Sequence, residues 1–345
     1  MRIQLNNPDA NFILSVCLAF ILFSCAGKMR IPGNVNYDET INRQFWSVDW
    51  SPDDKLIAVA GIDSIVRIYH AKSLKLYKSF PVDSWIHVVK WNPDSKTLGI
   101  ATLDKEVQIL NLVSGTKTIL MSNGGSRAID WNFNGELIAV GDLDGIIKIW
   151  DKKGNLVKSF DKKYGPDIVG TSYLGIDWHP FKNIFVAINF QIQLFDSSAT
   201  ELKVMEHTNK AAIMLCVSWH PSGDFFVIGD YGHNWDGENV PSLLHFWTQD
   251  GRLLKSVAGS KGEYRNISWN KEGTLLSTAS DVLRIWSNTG SLLHAGIPDS
   301  SNYLWGIDWN AGSNRIVTAS RYKTIAIWDS TAKLMKRIDI GKAHK

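Results

Sequence analysis

A short pattern centred on tryptophan recurs seven times, and its spacing constrains this chain more than any other feature. The copies are SVDWSPDDKL at Trp50, VVKWNPDSKTL at Trp91, AIDWNFNGEL at Trp131, GIDWHPFKNI at Trp178, CVSWHPSGDF at Trp219, NISWNKEGTL at Trp269 and GIDWNAGSNR at Trp309. Successive tryptophans stand 41, 40, 47, 41, 50 and 40 residues apart. One period, Phe45 to Phe80, holds four short apolar runs, the first two parted by Ser51-Pro52-Asp53-Asp54, where proline presets φ for a type I turn. Four strands in a period of about 40 residues mark a β-propeller. A lone sheet of this kind exposes apolar residues on both faces, so it is stable only between two like neighbours. The fold expected is therefore all-β, a seven-bladed β-propeller of four-stranded antiparallel blades over residues 45–340.

The ends of the third strands carry a resemblance. They read GIIKIWDKKG with Trp150 and Asp151, LLHFWTQDG with Trp247, VLRIWSNTG with Trp286, and IAIWDSTAK with Trp328 and Asp329. Tyr69, Leu110 and Phe195 take the tryptophan's place in the first, second and fourth copies. From Phe45 to Ile338 the chain resembles the WD-repeat family, which implies a rigid ring that binds other proteins. In that family an aspartate between second and third strands bonds a histidine of a Gly-His pair ahead of the first strand. Here those turns carry Asp63, Asp104, Asp144 and Asp281, and only Glu206-His207 resembles the pair, so the aspartates are expected to brace their own turns.

The chain's 345 residues suffice for one propeller and leave too few for a second large domain. A net charge of +3 gives no electrostatic ground for a nucleic-acid partner. Of three cysteines, Cys17 and Cys25 precede the repeats, which leaves Cys216 alone in the ring, where a buried thiol is expected.

Phe12 to Phe23 is an apolar run of 12 residues. As a helix it spans roughly 18 Å, short of the ~30 Å hydrocarbon core, and suits the hydrophobic region of a signal peptide over residues 1–24. It ends in Leu22-Phe23-Ser24-Cys25, which resembles the bacterial lipobox and implies acylation of Cys25. Several acyl chains at about 0.8 kcal/mol per buried CH₂ anchor stably where one is marginal. The chain as a whole thus resembles a bacterial WD-repeat lipoprotein, with residues 25–44 as a tether and 341–345 as a tail. The expected place is the cell envelope, lipid-anchored to a membrane; a secreted or cytoplasmic protein is the alternative. A second reading of residues 25–44 has them complete the last blade.

Val48, Val89, Ile129, Ile176, Val217, Ile267 and Ile307 share a face with the repeat tryptophans and should pack on a neighbouring blade. Between them Asp49, Lys90, Asp130, Asp177, Ser218, Ser268 and Asp308 face the other way. Two readings of this ring are a bound cation and hydrogen bonding to backbone groups. The second is favoured because buried carboxylates need partners, and no metal or other cofactor is expected.

Two connections break the period, Phe160 to Tyr173 and Gly229 to Ser242. Both should open on one face, the top, which marks it as a contact surface. Asp230, His233, Asp236 and Glu238 in the second lack the spacing of a calcium loop. The partner-binding residues expected there are Trp46, Trp85, Arg127, Tyr173, Tyr231, Trp235, Tyr264, Arg265 and Trp305, types that dominate interaction hot spots. The sequence contains no nucleophile elbow, HExxH or phosphate-binding glycine loop, so a non-enzymatic scaffold for a peptide or protein is expected. The alternatives are a sugar or small ligand at the channel mouth, or an envelope lyase or hydrolase on a propeller scaffold.

Overall fold

The computed structural model describes residues 44–340 apart from 163–167, 169, 210–211, 235–237 and 298–302. The chain divides into two units, Met1–Tyr37 and Asp38–Lys345, and the second holds every described strand. The signal peptide, Cys25, Trp235, Asp236 and the tail lie outside the described residues, as does the tether except for Gln44.

Blade 1 consists of Phe45–Trp50, Leu56–Gly61, Ile65–His70 and Leu76–Pro81, paired antiparallel in that order. Six more four-stranded sheets repeat this plan, with first strands Ile86–Trp91, Ser126–Trp131, Gly175–Trp178, Ala212–Trp219, Asn266–Trp269 and Leu304–Trp309. The seven-bladed all-β propeller expected from the spacing is what forms, with no helix among the described residues. The seventh sheet takes all four of its strands from its own period, Leu304 to Asp339.

Alternation along the first strand explains why the sheets form a ring. Val48 and Trp50 point back onto Val317, Ile325 and Ile327 of blade 7. Val89 and Trp91 likewise pack on Ala58, Val66 and Ile68 of blade 1, and the same joint recurs between every later pair of neighbours. Fully burying one large apolar side chain is worth about 1.5–3 kcal/mol, so these joints drive closure. Tyr69, Leu110 and Phe195 fill the tryptophan's place inside them and are buried.

At four of the seven positions the residue before the repeat tryptophan is an aspartate that reaches forward. Asp49 Oδ2 accepts the Trp91 backbone N–H at 2.5 Å, Asp130 that of Trp178 at 2.8 Å, Asp177 that of Trp219 at 2.6 Å, and Asp308 that of Trp50 at 2.8 Å. Of the two readings of this ring, hydrogen bonding to backbone is the one observed, and its target is the next blade. The bond from Trp50 to Asp308 joins the last sheet to the first.

A second set of joints lies in the turns after the repeat tryptophans. The residue following each tryptophan is buried at all seven positions: Ser51, Asn92, Asn132, His179, His220, Asn270 and Asn310. Asn92 Nδ2 donates to the Gly135 carbonyl at 2.7 Å, His179 Nε2 to that of Gly223 at 3.2 Å, and His220 Nε2 to that of Gly273 at 2.7 Å. Gly273 has a φ of +67°, and a Cβ there would lie 2.4 Å from His220 Nε2. Asp54 closes the set by accepting the backbone N–H groups of Ala311 and Gly312 at 2.6 and 3.0 Å.

Candidate functional site

Because the strands are antiparallel, first strands begin where second strands end, so both inserted connections open on the same rim of the ring. In blade 5 the second strand, Phe225–Asn234, runs to 10 residues and carries the pairing up to Ala212 opposite Asn234. The insertion thus grows out of the sheet, and His233 bridges to Asn239 beyond it.

Over the channel at this rim the rings of four blades join into an arc. Trp46 stacks with Trp305 at 5.9 Å between centroids and 16° between planes, and meets Trp85 edge-on at 6.1 Å. His87 lies 5.1 Å from Trp46 on the same side of the mouth. The Arg265 guanidinium sits 4.2 Å from the Trp305 centroid and 5.4 Å from that of Tyr231, which extends the arc into blade 5. Glu263 fixes the guanidinium through a 2.6 Å ion pair. Offset stacks and cation–π contacts each contribute about 0.5–1.5 kcal/mol, so the arc is a preformed surface.

The residues expected to bind a partner separate into two groups. Trp46, Trp85, Arg127 and Trp305 keep part of their surface accessible at the mouth. Tyr173 and Tyr264 are 0% exposed, and Tyr231 and Arg265 are buried as well, so the last two support the arc from beneath. Tyr173 lies over Gly141 of blade 3, where a Cβ would come within 2.5 Å of its own, and its hydroxyl donates to Gln193 Oε1 at 2.9 Å. Tyr264 covers Gly229 of blade 5 in the same way. Both tyrosines therefore offer the rim no surface and act as wedges between blades. Trp235 lies outside the described residues.

Charge gathers below the arc. Lys90 Nζ stands 3.4 Å from Asp49 Oδ1. Burial pushes the Asp49 carboxyl up to about 7, with Asp308 and Asp130 adding to the rise and Lys90 opposing it. Asp130, Asp177 and Asp308 are raised too, in each case chiefly by burial. The lysine is held in its charged form mainly by Asp49. Burial is also the main reason that His87 drops to about 4, helped by Arg127 and opposed by a 3.0 Å contact with the Ser126 carbonyl. His87 is thus neutral near pH 7 and sits against Trp46 as a flat ring.

Of the four turn aspartates expected to brace their own turns, Asp63 and Asp281 do so through ion pairs. Asp63 pairs with Arg67 at 2.8 Å and with Lys323 of blade 7 at 2.6 Å, and Asp281 pairs with Arg284 at 2.6 Å. In blade 3 the brace is Asp142, whose carboxylate accepts the backbone N–H groups of Asp144 and Ile146. Cys216 is buried and free, and burial raises its thiol well above the ordinary range. A pocket of about 280 Å³ opens on the opposite rim between Pro52, Pro93, Phe133 and Pro180, with Asp130 also in its lining. Sequence reasoning missed it because its lining comes from turns of four blades.

Two family profiles match parts of the chain: the anaphase-promoting complex subunit 4 WD40 domain over residues 34–92, and the WD domain, G-beta repeat, over residues 117–151 and 288–329. Among relatives, F-box-like/WD repeat-containing protein TBL1X of Mus musculus is 26% identical over 154 residues, 41% of this chain and 28% of its own length. Intraflagellar transport protein 80 homolog of Mus musculus is 24% identical over 197 residues, 56% of this chain and 23% of its own. SIR4-interacting protein SIF2 of Saccharomyces cerevisiae is 19% identical over 217 residues, 57% of this chain and 37% of its own. The chain thus spans well under half the length of these curated relatives. With the seven-bladed ring, the matches support a WD-repeat β-propeller.

Proposed function

We propose that this propeller is a non-enzymatic interaction module that binds a peptide or protein partner across the upper rim, and that an acylated Cys25 holds it to a membrane of the bacterial envelope. The observation that carries the first part is the partly exposed aromatic arc of Trp85, Trp46 and Trp305 at the channel mouth, held rigid from below by the buried Arg265 guanidinium. Such surfaces dominate protein interfaces because they present large area with little side-chain entropy left to lose. WD-repeat propellers typically serve as protein-interaction scaffolds, which agrees with this reading. Propellers also host unrelated functions, so the argument rests on the rim and its residues. Among the described residues no helix is long and apolar enough to cross a membrane, and the anchor rests on the Leu22-Phe23-Ser24-Cys25 pattern.

Pull-down from envelope extract tests the partner surface. Replacing Trp46, Arg127, Arg265 and Trp305 together by alanine is expected to lower recovery of the wild-type partner at least 30-fold, the effect of losing about 2 kcal/mol at a hot spot. Equal recovery by both proteins overturns the assignment. Cys25→Ser is expected to move the chain from the membrane fraction to the soluble fraction, and an unchanged distribution removes the acyl anchor.

A further inference from the structure

Blade 5 encloses a cluster of ligating side chains that the upper-rim surface does not use. His207 precedes the first strand, Asp230 lies in the second strand and His245 in the third, and they are 3%, 2% and 1% exposed. His245 Nε2 is 2.9 Å from Asp230 Oδ2, and His207 Nε2 is 3.4 Å from Asp230 Oδ1. One ligand atom from each lies within 4.8 Å of the others. The two imidazoles meet edge to face with centroids 4.3 Å apart.

The other nitrogen of each ring faces an oxygen. His245 Nδ1 is 2.7 Å from Ser256 Oγ, and His207 Nδ1 lies 2.9 Å from the Asn209 carbonyl and 3.0 Å from the Asn209 backbone N–H, which donates to it. An Nδ1–H directed at a carbonyl or hydroxyl oxygen is the contact that fixes the tautomer and orientation of a metal-bound imidazole. With the protons on Nδ1, both Nε2 lone pairs and the carboxylate converge on one small buried volume that a cation fills. With His207 Nδ1 accepting the Asn209 N–H and His245 Nδ1 the Ser256 hydroxyl, both Nε2–H groups point at Asp230 instead. Asp230 Oδ1 and His207 Nε2 meet only in a long contact of 3.4 Å, weaker than the 2.9 Å contact of His245 with Asp230 Oδ2. Ligands around a tetrahedral ion at about 2.0–2.2 Å stand roughly 3.3 Å apart, so the observed spacings need small adjustment.

We propose that His207 Nε2, Asp230 and His245 Nε2 form a binding site for a divalent transition-metal ion of the zinc class, with a water in the fourth position. Two imidazoles and one carboxylate suit zinc or cobalt, whereas calcium and magnesium require mostly oxygen ligands. The ion joins the connection into blade 5 to the second and third strands, one residue from Tyr231, and so stiffens the end of the arc that Arg265 covers. The competing state carries protons on both Nε2 atoms, each shared with Asp230, and binds no metal.

The test uses the tag-free, detergent-solubilised full chain after stripping with chelator. Zn²⁺ titrated by calorimetry is expected to bind with one equivalent per chain and to raise Tm as free metal rises, and Co²⁺ to give the visible spectrum of a four-coordinate ion. Asp230→Asn should weaken Zn²⁺ binding by more than 100-fold, and His294→Ala, on an exposed outer strand, should leave it unchanged. Ser256 is exposed, so Ser256→Ala tests the site without burdening the fold, and about 10-fold weaker binding is expected. The proposal is overturned by a wild type without a saturable equivalent, or by wild-type affinity in Asp230→Asn or Ser256→Ala.

Discussion

At the lower rim the residue after each repeat tryptophan is buried, and in Asn92, His179 and His220 it reaches over to the next blade's turn, whereas at the upper rim large rings and an arginine collect over the channel. The lower turns are short and repeat with little change. The upper connections vary in length and carry both insertions. The same strands feed both rims, so the difference is one of duty: the lower rim helps to lock the ring, and the upper rim is left to vary. A locked lower rim is also what allows the upper one to hold Trp46, Trp85 and Trp305 in fixed relation, since each belongs to a different blade.

The sharpest way to break this contrast is at Gly273. A side chain there adopts an unfavourable positive φ and strikes His220, whose ring is already held between Phe225 at 4.4 Å and Trp269 at 4.7 Å. Gly273→Val is expected to cost roughly 3 kcal/mol in urea unfolding. A loss below about 0.5 kcal/mol, the range of an ordinary surface change, means that the lower lock is not what holds the ring.

A smaller effect separates structural from functional charge in the channel between the rims. Asp177 is half-buried beside the channel, and loss of hydration with the nearby Asp130 raises its carboxyl well above the ordinary range. An acid whose folded pKa is raised holds its proton longer in the folded chain than in the unfolded one. Its contribution to stability is therefore present at low pH and declines as pH rises from about 4, which for Asp49 continues to about 7. His87, lowered to about 4, contributes in the opposite sense over the same range. Asp177→Asn keeps an oxygen for the Trp219 N–H and removes the charge. Its Tm relative to wild type should improve between pH 4 and pH 8 by roughly 2–4 °C in a thermal scan. A constant difference contradicts the raised carboxyl.

Much of the ring was legible because period and parity are coded locally. Trp50 and Val48 had to share a face, and Asp49 had to oppose them, whatever the remote partner. The partners of the polar residues were less readable. Nothing near Asn92 or His220 in sequence announces a glycine carbonyl 43 or 53 residues away. Tyr173 and Tyr264 lie two residues ahead of their first strands and Trp305 just inside its own, yet Gly141 and Gly229 leave room for the tyrosines between the sheets. A glycine late in the preceding blade's second strand was the available signal. His245 sits among apolar neighbours in its strand, so its meeting with Asp230 and His207 emerged only from the folded sheet.

The most direct test of the division between rims is amide hydrogen exchange on the full chain, free and with its co-purified partner. The account expects slowed exchange on binding in peptides covering 44–46, 84–87, 263–265 and 303–305, and no change in the turns at 51–54, 92–95 and 220–223. Protection confined to those lower turns would contradict it and move the contact surface to the opposite rim.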